Sequence, residues 1–217
     1  MMVWNNLYFN FPSSIGMEYI MILMDYTIMI LIFVLIMSML QLTNNFFTKN
    51  LNHTLLVHHE LEMIWSIIPF IILVFILIPT LMSLYMLESC NFCGITVKIM
   101  GHQWYWSYFN EDKKIYFMSY MEQSFNYLRL LEVDNSLVLP YGVPIRLLIS
   151  SMDVIHSWTI PSMGVKMDAI PGRINSLCFS CNKMGKFFGQ CSEICGVNHS
   201  FMPISLEIIN LKDYIMI

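Results

Sequence analysis

Charge is what this sequence has least of. Of its 217 residues 12% are Asp, Glu, Lys or Arg, and 57% are hydrophobic; a soluble domain carries roughly 25% charged residues. That deficit argues against a free-standing soluble protein and against a disordered chain. A net charge of −4 leaves no basic surface for a phosphate backbone, so nucleic acid is excluded as a partner. No basic residue precedes Lys49, which removes the positive n-region of a signal peptide and the Arg-rich pattern of a transit sequence. A glycine-rich phosphate loop, a Gly-x-Ser-x-Gly elbow, a helical heptad and an internal repeat are all missing too.

The few charges that are present divide the chain. Residues 1–87 hold only Glu18, Asp25, Lys49, Glu60 and Glu62, and residues 88–217 hold the other 21. Residues 63–87 run without a charge; at ~1.5 Å per helical residue they reach roughly 37 Å, more than the ~30 Å hydrocarbon core. Pro69 and Pro79 inside this run predict gentle kinks. A second uncharged run ends near Phe47. The pattern predicts an N-terminal segment with a transmembrane hairpin over 1–87, with spans at about 20–46 and 63–87. The polar stretch 50–62 joins them, and the first run is too long for a signal h-region and stays in the mature protein. Two spans put the N-terminus and residues 88–217 on one side of the membrane, and a lone lysine does not say which.

From Ile95 onward the periodicity is that of short strands: 95–100, 128–133, 137–139, 145–149, 157–160, 174–180 and 204–209, most bounded by Gly, Pro, Asn or Asp. This spacing predicts an all-β sandwich or barrel over 88–217, and an α+β membrane protein overall.

Six cysteines carry the chemistry: Cys90, Cys93, Cys178, Cys181, Cys191 and Cys195. The last two belong to a run spaced Cys191-x3-Cys195-x3-His199-x2-Met202. Thiolate and thioether are soft ligands that select Cu(I), imidazole serves both copper states, and a sandwich offering Cys, His and Met from one loop is the blue-copper pattern. The second imidazole comes from His156, just before the strand 157–160. A mononuclear site needs one cysteine; two, four apart, can bridge a pair of metals and share one electron. A Cys191–Cys195 disulfide is the competing reading, and it leaves His199 and Met202 unexplained. The remaining four cysteines read as buried, inert thiols, with a zinc site of two Cys-x2-Cys pairs as the alternative.

Two further features have both a plain and a functional reading. Five of the six residues 104–109 are aromatic, and alternation puts Trp104, Trp106 and Tyr108 on one face of a strand. That is a core face, or an exposed tryptophan that accepts electrons at a docking surface. Glu60 and Glu62 open the second span, where a helix dipole welcomes carboxylates, and His53, His58 and His59 precede the span as solvated loop residues.

Taken together, the stretches 101–106 (GHQWYW), 131–135 (LEVDN), 153–158 (DVIHSW), 168–173 (DAIPGR), 189–196 (GQCSEICG) and 198–203 (NHSFMP) resemble subunit II of cytochrome c oxidase of the mitochondrial type, over nearly the whole chain. The resemblance implies a cupredoxin domain, a Greek-key sandwich or barrel, with a binuclear copper A centre. In it Cys191 and Cys195 bridge both coppers, His156 and Met202 complete one, and His199 and the Glu193 carbonyl complete the other. It also implies that the Glu193 side chain binds magnesium at the boundary with subunit I. Trp104 receives electrons from cytochrome c, and Glu62 stands at the mouth of a proton channel into subunit I. The implied setting is the mitochondrial inner membrane, with the N-terminus and the copper domain in the intermembrane space and proton pumping coupled to oxygen reduction. The chain departs from the family at Met82, Phe109 and Met152, where charged side chains are usual. The docking face for cytochrome c then rests on Asp134 and Asp153, helped by Glu111, Glu122 and Glu132, in a domain with ten basic and eleven acidic side chains. A copper-less quinol-oxidase subunit II lacks the ligands present here, and nitrous oxide reductase needs a propeller and no hairpin. A membrane protein with a disulfide-stapled ectodomain is the structural alternative.

Overall fold

The computed structural model describes residues 8–49, 56–89, 92–122 and 128–217; Cys90, His53 and much of the link between the apolar runs lie outside them. Two compact units emerge. One is Ile20–Tyr85, and the other joins the described residues up to Tyr19 with Met86–Ile217.

Helices α1 (Ile15–Phe47) and α2 (His59–Glu88) are both long and apolar enough to cross a membrane, and each extends beyond the span read from charge alone. Side chains set their starts. The Ser14 hydroxyl accepts from Met17 N–H at 3.0 Å, satisfying one of the orphan donors at the helix N-terminus. His58 Nδ1 accepts from Leu61 N–H at 3.3 Å at the start of α2, where Glu60 and Glu62 meet the positive end of the dipole. Within Ile20–Tyr85 one proline has an identifiable remedy. Pro79 has no N–H to give the carbonyl four residues back, and Tyr26 of α1 donates its hydroxyl to that Phe75 carbonyl at 3.3 Å.

The segment before α1 is part of the globular unit. Ser13 N–H donates to Ser162 O at 2.9 Å, Asn182 N–H donates to Ser13 O at 3.0 Å, and the Ser14 hydroxyl donates to Met163 O at 2.6 Å.

Among the described residues ten strands follow α2: β1 (Ile95–His102), β2 (Tyr105–Asn110), β3 (Ile115–Ser119), β4 (Leu137–Pro140), β5 (Pro144–Ser151), β6 (His156–Ile160), β7 (Val165–Ala169), β8 (Asn175–Ser180), β9 (Gly185–Gln190) and β10 (Pro203–Ile209). They form sheets in the orders β3-β2-β1-β5-β8, β4-β10-β9 and β6-β7. β1 runs parallel to β5 and β10 parallel to β4, so the chain crosses over between neighbouring strands. Period-two alternation fills the core. Ile95, Val97 and Ile99 of β1 meet Ile145, Leu147 and Ile149 of β5, backed by Trp106, Tyr108, Trp158, Leu137, Leu139 and Leu206. Each such side chain contributes about 1.5–3 kcal/mol on full burial. A short helix α3 (Leu211–Met216) closes the chain with Tyr214 buried.

Two expectations change. Residues 128–133 are not a strand: Leu131 N–H closes a turn on Leu128 O, Leu130 takes φ 65°, and only Val133 makes a bridge, to Met121. Its leucine-rich, apolar character is misleading there because a reversal occupies the run. Trp106 and Tyr108 are inward on β2, whereas Trp104 lies in the turn between β1 and β2, next to a cis Gln103–Trp104 peptide.

Candidate metal centre

The β9–β10 pairing builds the base of the site. Gln190 lies opposite Pro203, so Cys191 and Met202 leave the sheet side by side and the loop 191–202 covers one end of the domain. Ser192 N–H donates to Ser157 O at 3.0 Å, which ties the loop to β6. The far end winds into a single 3-10 turn, His199–Phe201, with His199 N–H on Gly196 O. His156 opens β6 and is fully buried.

This arrangement gathers six donors. Cys191 Sγ is 4.0 Å from Cys195 Sγ, 4.0 Å from His156 Nδ1 and 3.4 Å from Glu193 O. Cys195 Sγ is 3.3 Å from His199 Nδ1 and 3.5 Å from Met202 Sδ. Among the described residues, His156, Cys191 and Cys195 are the group whose ligand atoms converge closely enough to hold a metal ion. The competing disulfide is not formed, since Cys191 and Cys195 are free thiols and a disulfide needs ~2.05 Å. With metal–thiolate bonds of about 2.3 Å, sulfurs at this separation can both touch one ion. Two thiolates, two imidazoles, a thioether and a carbonyl are a donor set that fits copper.

Electrostatics divides the two thiols. Burial disfavours the Cys191 thiolate, but bonds from His156 and from backbone N–H groups outweigh it and lower its pKa. Burial and the neighbouring Cys191 push Cys195 up to about 12. Burial lowers the His156 pKa, and its contacts with Cys191 and Asp153 reverse that to a net rise.

Asp153 connects the site to the β1–β2 turn. Its Oδ1 lies 2.8 Å from His156 Nε2, and its Oδ2 accepts from Gln103 N–H at 2.6 Å. Burial raises the Asp153 pKa, but these bonds and the Val154 N–H lower it overall and hold the carboxylate ionised. The bond to Nε2 aims Nδ1 at Cys191, the way an outer carboxylate fixes a ligating histidine. Gln103 continues the link, donating from Nε2 to Cys195 O at 2.8 Å.

Glycines permit the close approaches. A Cβ on Gly101 would lie 2.8 Å from His156 Cδ2. One on Gly196, which has φ 128°, would lie 3.1 Å from Trp104 Cζ2, so the indole rests directly on the loop.

This chain matches the family described as "Cytochrome C oxidase subunit II, periplasmic domain" over residues 95–209, and the corresponding transmembrane domain over residues 2–83. Cytochrome c oxidase subunit 2 of Yponomeuta malinellus is 48% identical across 99% of this chain and 96% of its own length; that of Sympetrum striolatum is 47% identical across the same shares. The solved periplasmic domain of subunit II of cytochrome oxidase from Bradyrhizobium japonicum is 44% identical, with a TM-score of 0.57, covering 59% of this chain and 93% of that one.

The chain belongs to the cytochrome c oxidase subunit II family.

It is thus a two-helix membrane subunit of cytochrome c oxidase with a cupredoxin-like domain, and its His/Cys cluster is consistent with the copper A site of such subunits. Six of the residues read from sequence converge here: His156, Cys191, Glu193, Cys195, His199 and Met202. Trp104 is half-buried beside the loop, its Nε1 buried without a hydrogen-bond partner among the described residues. Asp134 is exposed and accepts from Tyr120 N–H at 2.8 Å. Glu62 stands in the first turn of α2, 3.6 Å from His59 Nδ1. Met82 and Met152 are exposed, and Phe109 is half-buried under Lys98. The zinc alternative finds no support among the described residues, because Cys181 is turned into the core against Met163 Sδ at 3.8 Å.

Sequence reasoning missed two supports of this site. Asp153 reads from the sequence as a docking charge, and its place three residues before His156 is the one signal of a ligand-orienting role. Gln103 carries no signal of its own inside the aromatic stretch. A side-chain amide gives no chemical signal until the fold brings Cys195 to it.

Proposed function

We propose that this chain is the electron-accepting subunit of a mitochondrial inner-membrane cytochrome c oxidase, with its copper domain and N-terminus on the intermembrane-space side. When bound, a pair of coppers supplies a one-electron centre that takes electrons from cytochrome c and gives them to haem in subunit I, where oxygen reduction is coupled to proton pumping. The observation that carries this reading is the convergence of two thiols, two imidazoles, a thioether and a carbonyl at one end of a domain anchored by two membrane helices.

The protein's own contribution is to hold the ligands before metal arrives. Cys191 and Cys195 would hold the coppers as shared ligands, with His156 and Met202 as one outer pair and His199 and the Glu193 carbonyl as the other. Burial of His156, Cys191, Cys195 and Met202 excludes water. A fixed donor set limits movement on redox change and favours fast electron transfer. Glu193 also offers its carboxylate to magnesium at the subunit I boundary. Asp134 and Asp153 contribute negative charge for basic cytochrome c, Asp153 alongside its bond to His156. Glu62 delivers protons toward subunit I. Trp104 receives electrons, supported by the contact of its ring with Gly196 in the metal loop.

Rapid mixing of the oxidised complex with reduced cytochrome c tests this reading. The copper absorption bleaches before the haem responds, and Trp104→Phe slows that bleaching with little change in cytochrome c affinity. A haem reduced first, with the copper band unchanged, contradicts the function; equal bleaching rates remove Trp104 from it.

A further inference from the structure

Cys93 and Cys178 are 85 residues apart in sequence, yet their Sγ atoms lie 3.1 Å apart. Cys93 precedes β1, a few residues after α2 ends, and Cys178 belongs to β8, one of the two edge strands of the five-stranded sheet. Alternation explains how they meet. Phe179 is buried in the core, so its neighbour Cys178 points to the opposite face, which the segment entering β1 crosses. Gly94 N–H donates to Pro144 O at 2.8 Å and anchors that segment on the start of β5, the strand between β1 and β8. Both cysteines are half-buried, and the free thiols among the described residues are Cys181, Cys191 and Cys195. A cysteine placed for packing alone would be expected in the core, where Cys181 sits.

We propose that Cys93 and Cys178 form a disulfide that fastens the chain leaving α2 to the edge strand β8. The oxidant is a protein disulfide of the thiol–disulfide exchange class. The thiolate of one cysteine attacks it, forming a mixed disulfide and releasing one donor thiolate. The second cysteine then displaces the other donor sulfur, so two electrons and two protons finish on the donor as a dithiol. The bridge closes a long loop of the unfolded chain. The domain would then hold two kinds of cysteine in one compartment: a pair that must be oxidised to staple the fold, and the Cys191–Cys195 pair that must stay reduced to take metal. This inference does not depend on the metal reading.

Differential alkylation of the purified native complex tests it. The complex is denatured without reductant, with a copper chelator and excess iodoacetamide, and then digested. Cys181, Cys191 and Cys195 come out alkylated, whereas Cys93 and Cys178 appear in one cross-linked peptide pair that separates only on reduction. Alkylation of Cys93 and Cys178 in the first step overturns the proposal, and so does a Cys178 bridge to any other cysteine, Cys90 included. In the assembled complex, Cys93→Ser and Cys178→Ser each lower the thermal midpoint of the domain by about 5–10 °C, and the double variant lowers it no further. Additive losses contradict a shared bond.

Discussion

Replacing Asp153 with asparagine separates ligand positioning from partner docking. The carboxylate serves two donors, His156 Nε2–H at 2.8 Å and Gln103 N–H at 2.6 Å. Asparagine keeps one acceptor oxygen and turns an NH2 group toward the other donor, so one charge-assisted bond is lost. Such bonds contribute about 1.5–3 kcal/mol, and because the Asp153 side chain is 32% exposed, water relieves part of any further penalty. The remaining loss lands on the orientation of His156 Nδ1, so copper retention should fall about 10- to 100-fold, the range for partners that orient a metal ligand. The assay is titration of the assembled complex with a copper chelator, repeated at low and high salt, beside the KM for cytochrome c. The loss of copper affinity persists at high salt because the contact is short and partly buried, while any rise in KM fades as salt screens it. Unchanged copper retention with a salt-sensitive rise in KM would refute the positioning argument and leave Asp153 as a docking charge.

Glu62→Gln slows steady-state turnover while copper reduction by cytochrome c stays at the wild-type rate. Unchanged turnover would reduce Glu62 to a helix-dipole partner, a role worth about 0.3–1 kcal/mol. Gly189→Ala tests the packing of β9 on β6, because its Cβ would fall 1.8 Å from Thr159 O, a backbone atom that no rotamer change can move away. The cost is about 3 kcal/mol, and the thermal midpoint of the domain drops by roughly 10 °C in calorimetry; a drop under a few degrees would mean the strands separate more easily than their packing implies.

How much of this was legible in the sequence follows from how local each signal was. The hairpin was readable because lipid demands long uncharged runs, and the metal loop because four of its ligand side chains fall within twelve residues. His156 could be picked out by its chemistry even though the site draws it from a different strand. Other features depended on tertiary contact. That Tyr26 relieves the carbonyl freed by Pro79, that Gly196 leaves room for the Trp104 ring, and that Cys93 meets Cys178 are matters of three-dimensional approach with no spacing signal. The run 128–133 misled because strand-forming residues there make a turn with Leu130 at positive φ, which composition does not show.

The proposed function turns on Cys191 and Cys195 being shared by two coppers rather than serving one. Paramagnetic resonance of the oxidised complex at low temperature tests it most directly. One unpaired electron spread equally over two copper nuclei splits the signal from this subunit into seven hyperfine lines; that pattern is the expected result, and it is lost in Cys195→Ser. A four-line pattern, which reports an electron confined to one copper, would contradict it.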